Sequence, residues 1–191
     1  GKGKRPAPVT LLPSGETRKE IMKDRDVESQ WLTLDCWPPK DARAKRLCLG
    51  GGTVVSDPDN PVPYYNNVTT RGRDRAYMAG DQRFASKRGD VLTFSWPATR
   101  DTLRMMGPVK VNLVLNTDAT DLLAVVKLID VRPDGYEMLV RGDVMPARFR
   151  HSFSKPKPIT PNKDFNISFT MPDIAHVLMP GHKLMVQVQF S

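Results

Sequence analysis

Cysteine is almost missing from this sequence. Two in 191 residues, Cys36 and Cys48, cannot frame a disulfide-stapled fold, and no Cys-x-x-Cys pair suggests zinc or redox chemistry. One bond between the two is open to the chain but nothing indicates it, and Cys48 in RLCLG reads as a small strand residue. No apolar run approaches the roughly 20 residues of a membrane helix, so no membrane partner is expected. The first residues, GKGKRPAPVT, carry charge but no apolar stretch of a secretory signal. The catalytic signatures are missing as well. No Gly-x-Ser-x-Gly frame surrounds any serine, and Ser14 in LPSGE and Ser56 in VVSDP read as turn serines. Gly50–Gly52 lacks the Lys-Ser/Thr of a phosphate loop and reads as a hairpin loop.

What remains is a soluble, globular balance. Apolar residues make up 39% and charged residues 26%, without the charge excess of a disordered chain. The length suits one domain, alone or with an ordered extension. The chain begins at Gly1 rather than Met, which reads as a processed or excised piece of something longer. Net charge is +8, but the basic residues sit in short mixed clusters such as GKGKR, RGRDR, KPKP and RFRH. No helix carries a basic stripe with interleaved aromatics. A solvated basic surface is therefore expected, not a nucleic-acid partner.

Seventeen prolines and 13 glycines leave little room for long helices. Glu16–Val27 is polar and helix-compatible, and its thin apolar face predicts a loop or short helix outside the core. Strand signals dominate the rest. Leu92, Phe94 and Trp96 share one face of VLTFSW, and Val109, Val111, Leu113 and Leu115 share one face of VKVNLVL. Phe165, Ile167 and Phe169 do the same in FNISFT. In HKLMVQVQF, Leu184, Val186, Val188 and Phe190 oppose Lys183, Gln187 and Gln189. Period two with one apolar face predicts half-buried antiparallel strands. Leu122–Val131 is apolar on both faces and is expected at the centre of a sheet. Pro133-Asp134-Gly135 then predicts a hairpin turn before YEMLVR. MPARFRHSF and Arg46–Leu49 read as further short strands, and SDPDNPVPYY as a proline-stiffened loop. The pattern predicts an all-β fold, a jelly-roll β-sandwich.

Candidate chemistry is sparse. His176 and His182 flank the Pro180-Gly181 turn, with Asp173 nearby, so an Asp-His-His metal site is conceivable. The spacing matches no standard metal motif, and hydrogen bonds to the turn and to the start of the strand are the favoured roles. Asp57 and Asp59 are spaced like the start of a calcium loop but lack its Gly and distal Glu, so Asx-turns are expected. Asn67-Val68-Thr69 and Asn166-Ile167-Ser168 matter only in a secreted eukaryotic chain. No metal, cofactor or catalytic set is expected. Trp31, Trp37, Tyr64, Tyr65 and Tyr77 offer exposed rings for a second reading, a stand-alone carbohydrate- or ligand-binding module. Ordinary packing or contact with a partner domain is favoured over it.

Several strings occur in a telling order: WPPKDA, SDPDNPVPY, DQRFASKRGDVLTF, GPVKVNLVL, VVKLIDVRPDGYEMLVRGDVMPARFR and DIAHVLMPGHKLMVQVQFS. From Trp37 to Ser191 the chain resembles the C-terminal domain of the X-prolyl dipeptidyl peptidase, cocaine esterase and α-amino-acid ester hydrolase family. Its glutaryl acylase-type bacterial members are the nearest likeness. The resemblance implies a galactose-binding-like jelly roll over 37–191, with 1–36 as an irregular extension or linker. It implies a non-catalytic partner of an α/β-hydrolase domain, with the Ser-Asp-His triad in that other domain. The sandwich would buttress that domain, help wall its substrate cleft, and offer contacts for homo-oligomers. Trp37, Tyr64, Tyr65, Tyr77, Asp81 and Arg83 are the candidate cleft or domain-interface residues. A bacterial cytoplasm or periplasm is implied, without a choice between them. The loop NTDATDLLAVV keeps Asp121 but has Leu123 where the family has a second acidic residue. The family also continues past the final Gln-x-Ser, so sheet edge or apolar surface is expected to lie uncovered near the last strand.

Overall fold

The alternating apolar positions of VKVNLVL and FNISFT can be buried only if the two stretches face a second sheet. They do so as parts of two long strands. The computed structural model describes residues 8–15, 31–63 and 80–191. Tyr64, Tyr65, Tyr77, the Glu16–Val27 window and the Asn67 sequon lie outside the described residues.

In chain order the elements are β1 (Val9–Leu11), β2 (Leu32–Leu34), a short helix α1 (Arg83–Ser86), β3 (Val91–Ser95), β4 (Leu103–Leu115), β5 (Leu123–Val131), β6 (Glu137–Pro146), β7 (Phe165–Leu178) and β8 (Lys183–Phe190). A four-stranded sheet runs β3-β8-β5-β6, and β4 pairs with β7 in a second layer. Every strand pair is antiparallel. The layers share one core. Val111 of β4 and Met171, Ile174 and Leu178 of β7 meet Val126 and Leu128 of β5, Val140 of β6, and Leu184, Val186 and Val188 of β8. This is the β-sandwich that the alternation predicts. Burying these side chains, at ~25 cal/mol per Å² of apolar surface, is what holds the layers together.

The Pro133-Asp134-Gly135 turn is in place, with the Gly135 N–H donating to the Arg132 carbonyl at 2.9 Å. β5 lies between β8 and β6, the central place its two apolar faces predict. β8, the last strand, is flanked by β3 and β5.

Three local readings are corrected. Arg46–Leu49 forms no strand. Leu47 and Leu49 pack on the core from a segment without ladder bonds. Gly50–Gly52 is likewise no hairpin loop but lies against β3. A Cβ on Gly52 would meet Leu92 Cδ2 at 2.6 Å, so a larger residue here would have to displace the end of the Leu92 side chain. MPARFRHSF is split: Met145 and Pro146 close β6, and Ala147–Phe149 is a 3-10 turn. The bend is held by the Ala147 N–H on the Leu122 carbonyl (2.8 Å) and the Arg148 N–H on Asp121 Oδ1 (2.9 Å).

Gln187 and Gln189 were expected at the surface and are instead 0% and 5% exposed. Residues 80–82 bridge the edge strand β6, and Gln82 and Phe84 reach Lys127 and Gln187 on the outer face of the large sheet. The Gln82 N–H donates to the Glu137 carbonyl at 2.9 Å, and the Leu139 N–H donates to the Gly80 carbonyl at 3.3 Å. The Gln187 amide reaches the Gln82 carbonyl at 3.4 Å. A strand that alternates apolar and amide side chains is thus buried on both faces, and the Gln187 amide N–H₂ finds acceptors on Gln82 and Glu137.

Candidate functional site

A carboxylate in a buried central strand must find partners or it costs several kcal/mol to bury. Asp130 in KLIDV is such a residue, and it is 0% exposed. Both late histidines serve it. His182 Nδ1 lies 2.7 Å from Asp130 Oδ1, and His176 Nε2 lies 3.0 Å from Asp130 Oδ2. A carboxylate only accepts, so each ring nitrogen facing it carries the hydrogen. On the other side of the ring, Ser14 Oγ sits 2.9 Å from His176 Nδ1.

The sequence places these groups by ordinary means. His176 stands on β7 and Asp130 on β5, one strand in each layer of the sandwich. The turn before β8 brings in His182, its N–H bonded to the Met179 carbonyl at 3.1 Å. Ser14 arrives from the N-terminal segment as a parallel bridge to His176. Its N–H donates to the Ala175 carbonyl at 2.9 Å, and its carbonyl accepts from the Val177 N–H at 2.7 Å. Gly15 follows at φ +116°, where a Cβ would lie 2.0 Å from the Val177 oxygen. Only glycine fits there.

Ser14, His176 and Asp130 have the connectivity of a nucleophile, base and orienting acid. Two features make the chain a fastener instead. The His176 ring is fully enclosed, at 0% exposure. Ser14 also commits its own N–H and carbonyl to β7, which holds it as part of the sheet edge. The histidines had been expected to bond the turn and the start of the strand. The backbone of His182 does so, but both side chains bond Asp130, which sequence reasoning passed over. The available signal was a lone carboxylate in a strand apolar on both faces. The Asp173–His176–His182 grouping does not converge: Asp173 Oδ2 accepts the Trp37 indole N–H at 2.5 Å. Among the described residues, no group of three or more His, Cys, Asp or Glu is arranged to hold a metal ion.

The predicted surface residues fall in two places. Trp37 is tied to β7 through Asp173, whose backbone carbonyl also accepts from Arg141 at 3.0 Å. Asp81 and Arg83 pair with each other at 2.5 Å beside β6, where Asp81 bridges Met138. Burial pushes the Asp81 carboxyl up, but hydrogen bonds from Arg83 and from the Glu137 N–H outweigh it and hold the group below its usual range. Trp37 shares no partner with that pair. Behind it, Lys127 is buried with its ammonium 3.0 Å from Gln82 Oε1, and burial pushes its pKa down to about 8. An open groove of about 470 Å³ lies elsewhere, between the end of β6 and β7, and contains none of these residues. Both cysteines are free, and Asp57 forms the expected Asx-turn with the Asp59 N–H at 3.0 Å.

Comparison with known proteins gives this architecture a setting. The family model for the X-Pro dipeptidyl-peptidase C-terminal non-catalytic domain matches residues 14–189. Cocaine esterase of Rhodococcus sp. (strain MB1 Bresler) is 30% identical over 185 residues, which is 85% of this chain and 32% of that protein. An aminopeptidase from a marine sediment Thaumarchaeota archaeon superposes with a TM-score of 0.72 at 30% identity, over 84% of this chain and 31% of the other. An α-amino acid ester hydrolase superposes with a TM-score of 0.66 at 39% identity, over 72% of this chain and 24% of the other. The chain thus spans about a third of the length of the curated relative that it matches.

Proposed function

Because this chain belongs to the family of X-Pro dipeptidyl-peptidase C-terminal non-catalytic domains, we propose that it is the accessory sandwich of a multidomain serine hydrolase. In that reading it buttresses an α/β-hydrolase domain and helps wall the substrate cleft. The parent enzyme would cleave X-Pro peptide, acyl amide or ester bonds. The observation that carries the reading is the family match, which runs almost the whole length of the sandwich. The Ser14–His176–Asp130–His182 chain, with Asp130 and His176 fully buried, supports it, since these polar groups hold strands together.

We take 37–191 as the sandwich, of galactose-binding-like jelly-roll topology, and 1–36 as an extension that contributes Ser14 to it. Trp37, Asp81 and Arg83 are assigned to the cleft or domain interface, together with Tyr64, Tyr65 and Tyr77. Trp37 is half-buried and held by Asp173, and Arg83 reaches solvent beside its partner Asp81.

The test is direct. The isolated chain, given a p-nitrophenyl ester and an X-Pro anilide, is expected to show no turnover. Turnover that survives purification and is abolished by a serine-reactive inhibitor would overturn the reading. DNA upstream of the reading frame is expected to encode an α/β-hydrolase domain with a Gly-x-Ser-x-Gly elbow.

A further inference from the structure

We infer that the β1–β2 ribbon is the seat on which the α/β-hydrolase portion of the same polypeptide rests. The inference builds on the accessory-domain reading above.

The ribbon pairs Val9 with Leu34 and Leu11 with Leu32. Directly opposed residues share a face, and strand side chains alternate, so these four form one apolar face and Thr10 and Thr33 the other. The threonines are exposed, and the four apolar residues are only half-buried. None of the four belongs to a core cluster of the sandwich. Just past the paired residues, on the threonine face by the same alternation, Leu12 is 37% and Trp31 46% exposed, so both faces of the ribbon end in apolar surface. Charged residues make up 26% of the chain, yet none falls in 9–13 or 31–34, so covering this surface desolvates no charge. Two strands of three residues do not hold together alone in water. Ser14 instead anchors them to β7 through its backbone bridge and its bond to His176.

The occupant follows from position. The family match starts at Ser14, so β1 and Leu12 lie just upstream of the matched region while β2 lies within it. The ribbon therefore straddles the junction between the non-catalytic domain and whatever precedes it in the relatives. In cocaine esterase this chain accounts for only 32% of the length. An apolar, charge-free ribbon fixed at that junction fits an apolar patch on the adjoining hydrolase portion. The contact is intramolecular, so a few side chains suffice to hold it.

A chimera tests the inference: Rhodococcus cocaine esterase with its matching third replaced by this chain. Leu11→Ser/Leu32→Ser/Leu34→Ser alters the apolar face, and Thr10→Ser/Thr33→Ser alters the opposite face as a control. The apolar-face variant is expected to shorten the half-life of ester hydrolysis at raised temperature by about tenfold, the effect of ~1.4 kcal/mol. The control is expected to leave it unchanged. A second readout needs no variant: the Leu11 and Leu32 amides are expected to exchange at least about tenfold more slowly in the chimera than in the isolated chain. An active chimera showing neither effect overturns the docking and leaves the accessory reading standing. A chimera no more active or durable than cocaine esterase lacking that third overturns the accessory reading, and the docking with it. If the isolated chain forms dimers that the apolar-face variant abolishes, a second copy is the occupant and the inference fails.

Discussion

His182 Nδ1 lies 2.7 Å from Asp130 Oδ1, although the two residues are 52 positions apart in the chain. His176 holds the other carboxylate oxygen, so a single buried carboxyl ties β5, β7 and the turn before β8 together. This knot stands at the end of the sandwich where Ser14 enters.

Removing the carboxyl should be among the most damaging single changes. Asp130→Ala leaves two ring N–H groups without acceptors inside the sandwich. The expected loss is about 3–5 kcal/mol of unfolding free energy, measured by urea denaturation. Asp130→Asn keeps one acceptor but turns an amide N–H₂ toward the other histidine, so an intermediate loss is expected. A loss under about 1 kcal/mol for Asp130→Ala would show that the knot is dispensable.

Ser14→Ala should loosen the N-terminal segment more than the sandwich. It removes the hydroxyl bonded to the buried His176 Nδ1, at an expected cost of about 1–3 kcal/mol. Gly15→Ala acts by sterics, since its Cβ would overlap the Val177 oxygen. Both changes should speed hydrogen exchange at the Val177 amide, which bonds the Ser14 carbonyl, and leave β5 amides protected.

Lys127 predicts an alkaline signature. Its folded pKa of about 8 is below the unfolded value of 10.5, so between those values the unfolded chain binds more protons than the native one. Stability from this group therefore rises with pH across that window, and its cost is greatest below pH 8. Lys127→Met lacks this term. The stability of the natural chain relative to that variant should climb from about pH 8 to 10.5, as followed by urea midpoints. A difference flat across the window would refute it.

Trp37→Phe should be mild. It deletes the indole N–H held by Asp173 while keeping most of the ring area. An expected loss of about 0.5–1.5 kcal/mol is the ordinary net worth of one hydrogen bond. A larger loss would mean that Trp37 also braces the Arg141 contact with the Asp173 carbonyl.

The apolar alternation of Val109–Leu115, Phe165–Phe169 and Leu184–Phe190 was enough to locate three core strands and their inward faces. Period two leaves little choice of side once one face must be buried. β5 was placed centrally for the same reason. The same logic failed at Gln187 and Gln189. An amide reads as solvent-facing unless distant segments bury it, and here both are buried, with Gln82 and Glu137 accepting from the Gln187 N–H₂. It failed again at Arg46–Leu49, where alternating leucines reach the core without a strand to pair with.

What the sequence by itself determined is therefore local and periodic: which stretches extend, which face turns inward, where the hairpin turns, and the ordered strings that mark the family. Partnership at long range was decided only by the tertiary structure. Among Asp130, His176, His182 and Ser14, the bonded pair Ser14 and His176 is 162 positions apart, and no spacing rule joins them. They meet because β5, β7 and β8 converge where the N-terminal segment crosses β7. A buried carboxylate in that place must be shared among whatever donors the folded strands bring within reach.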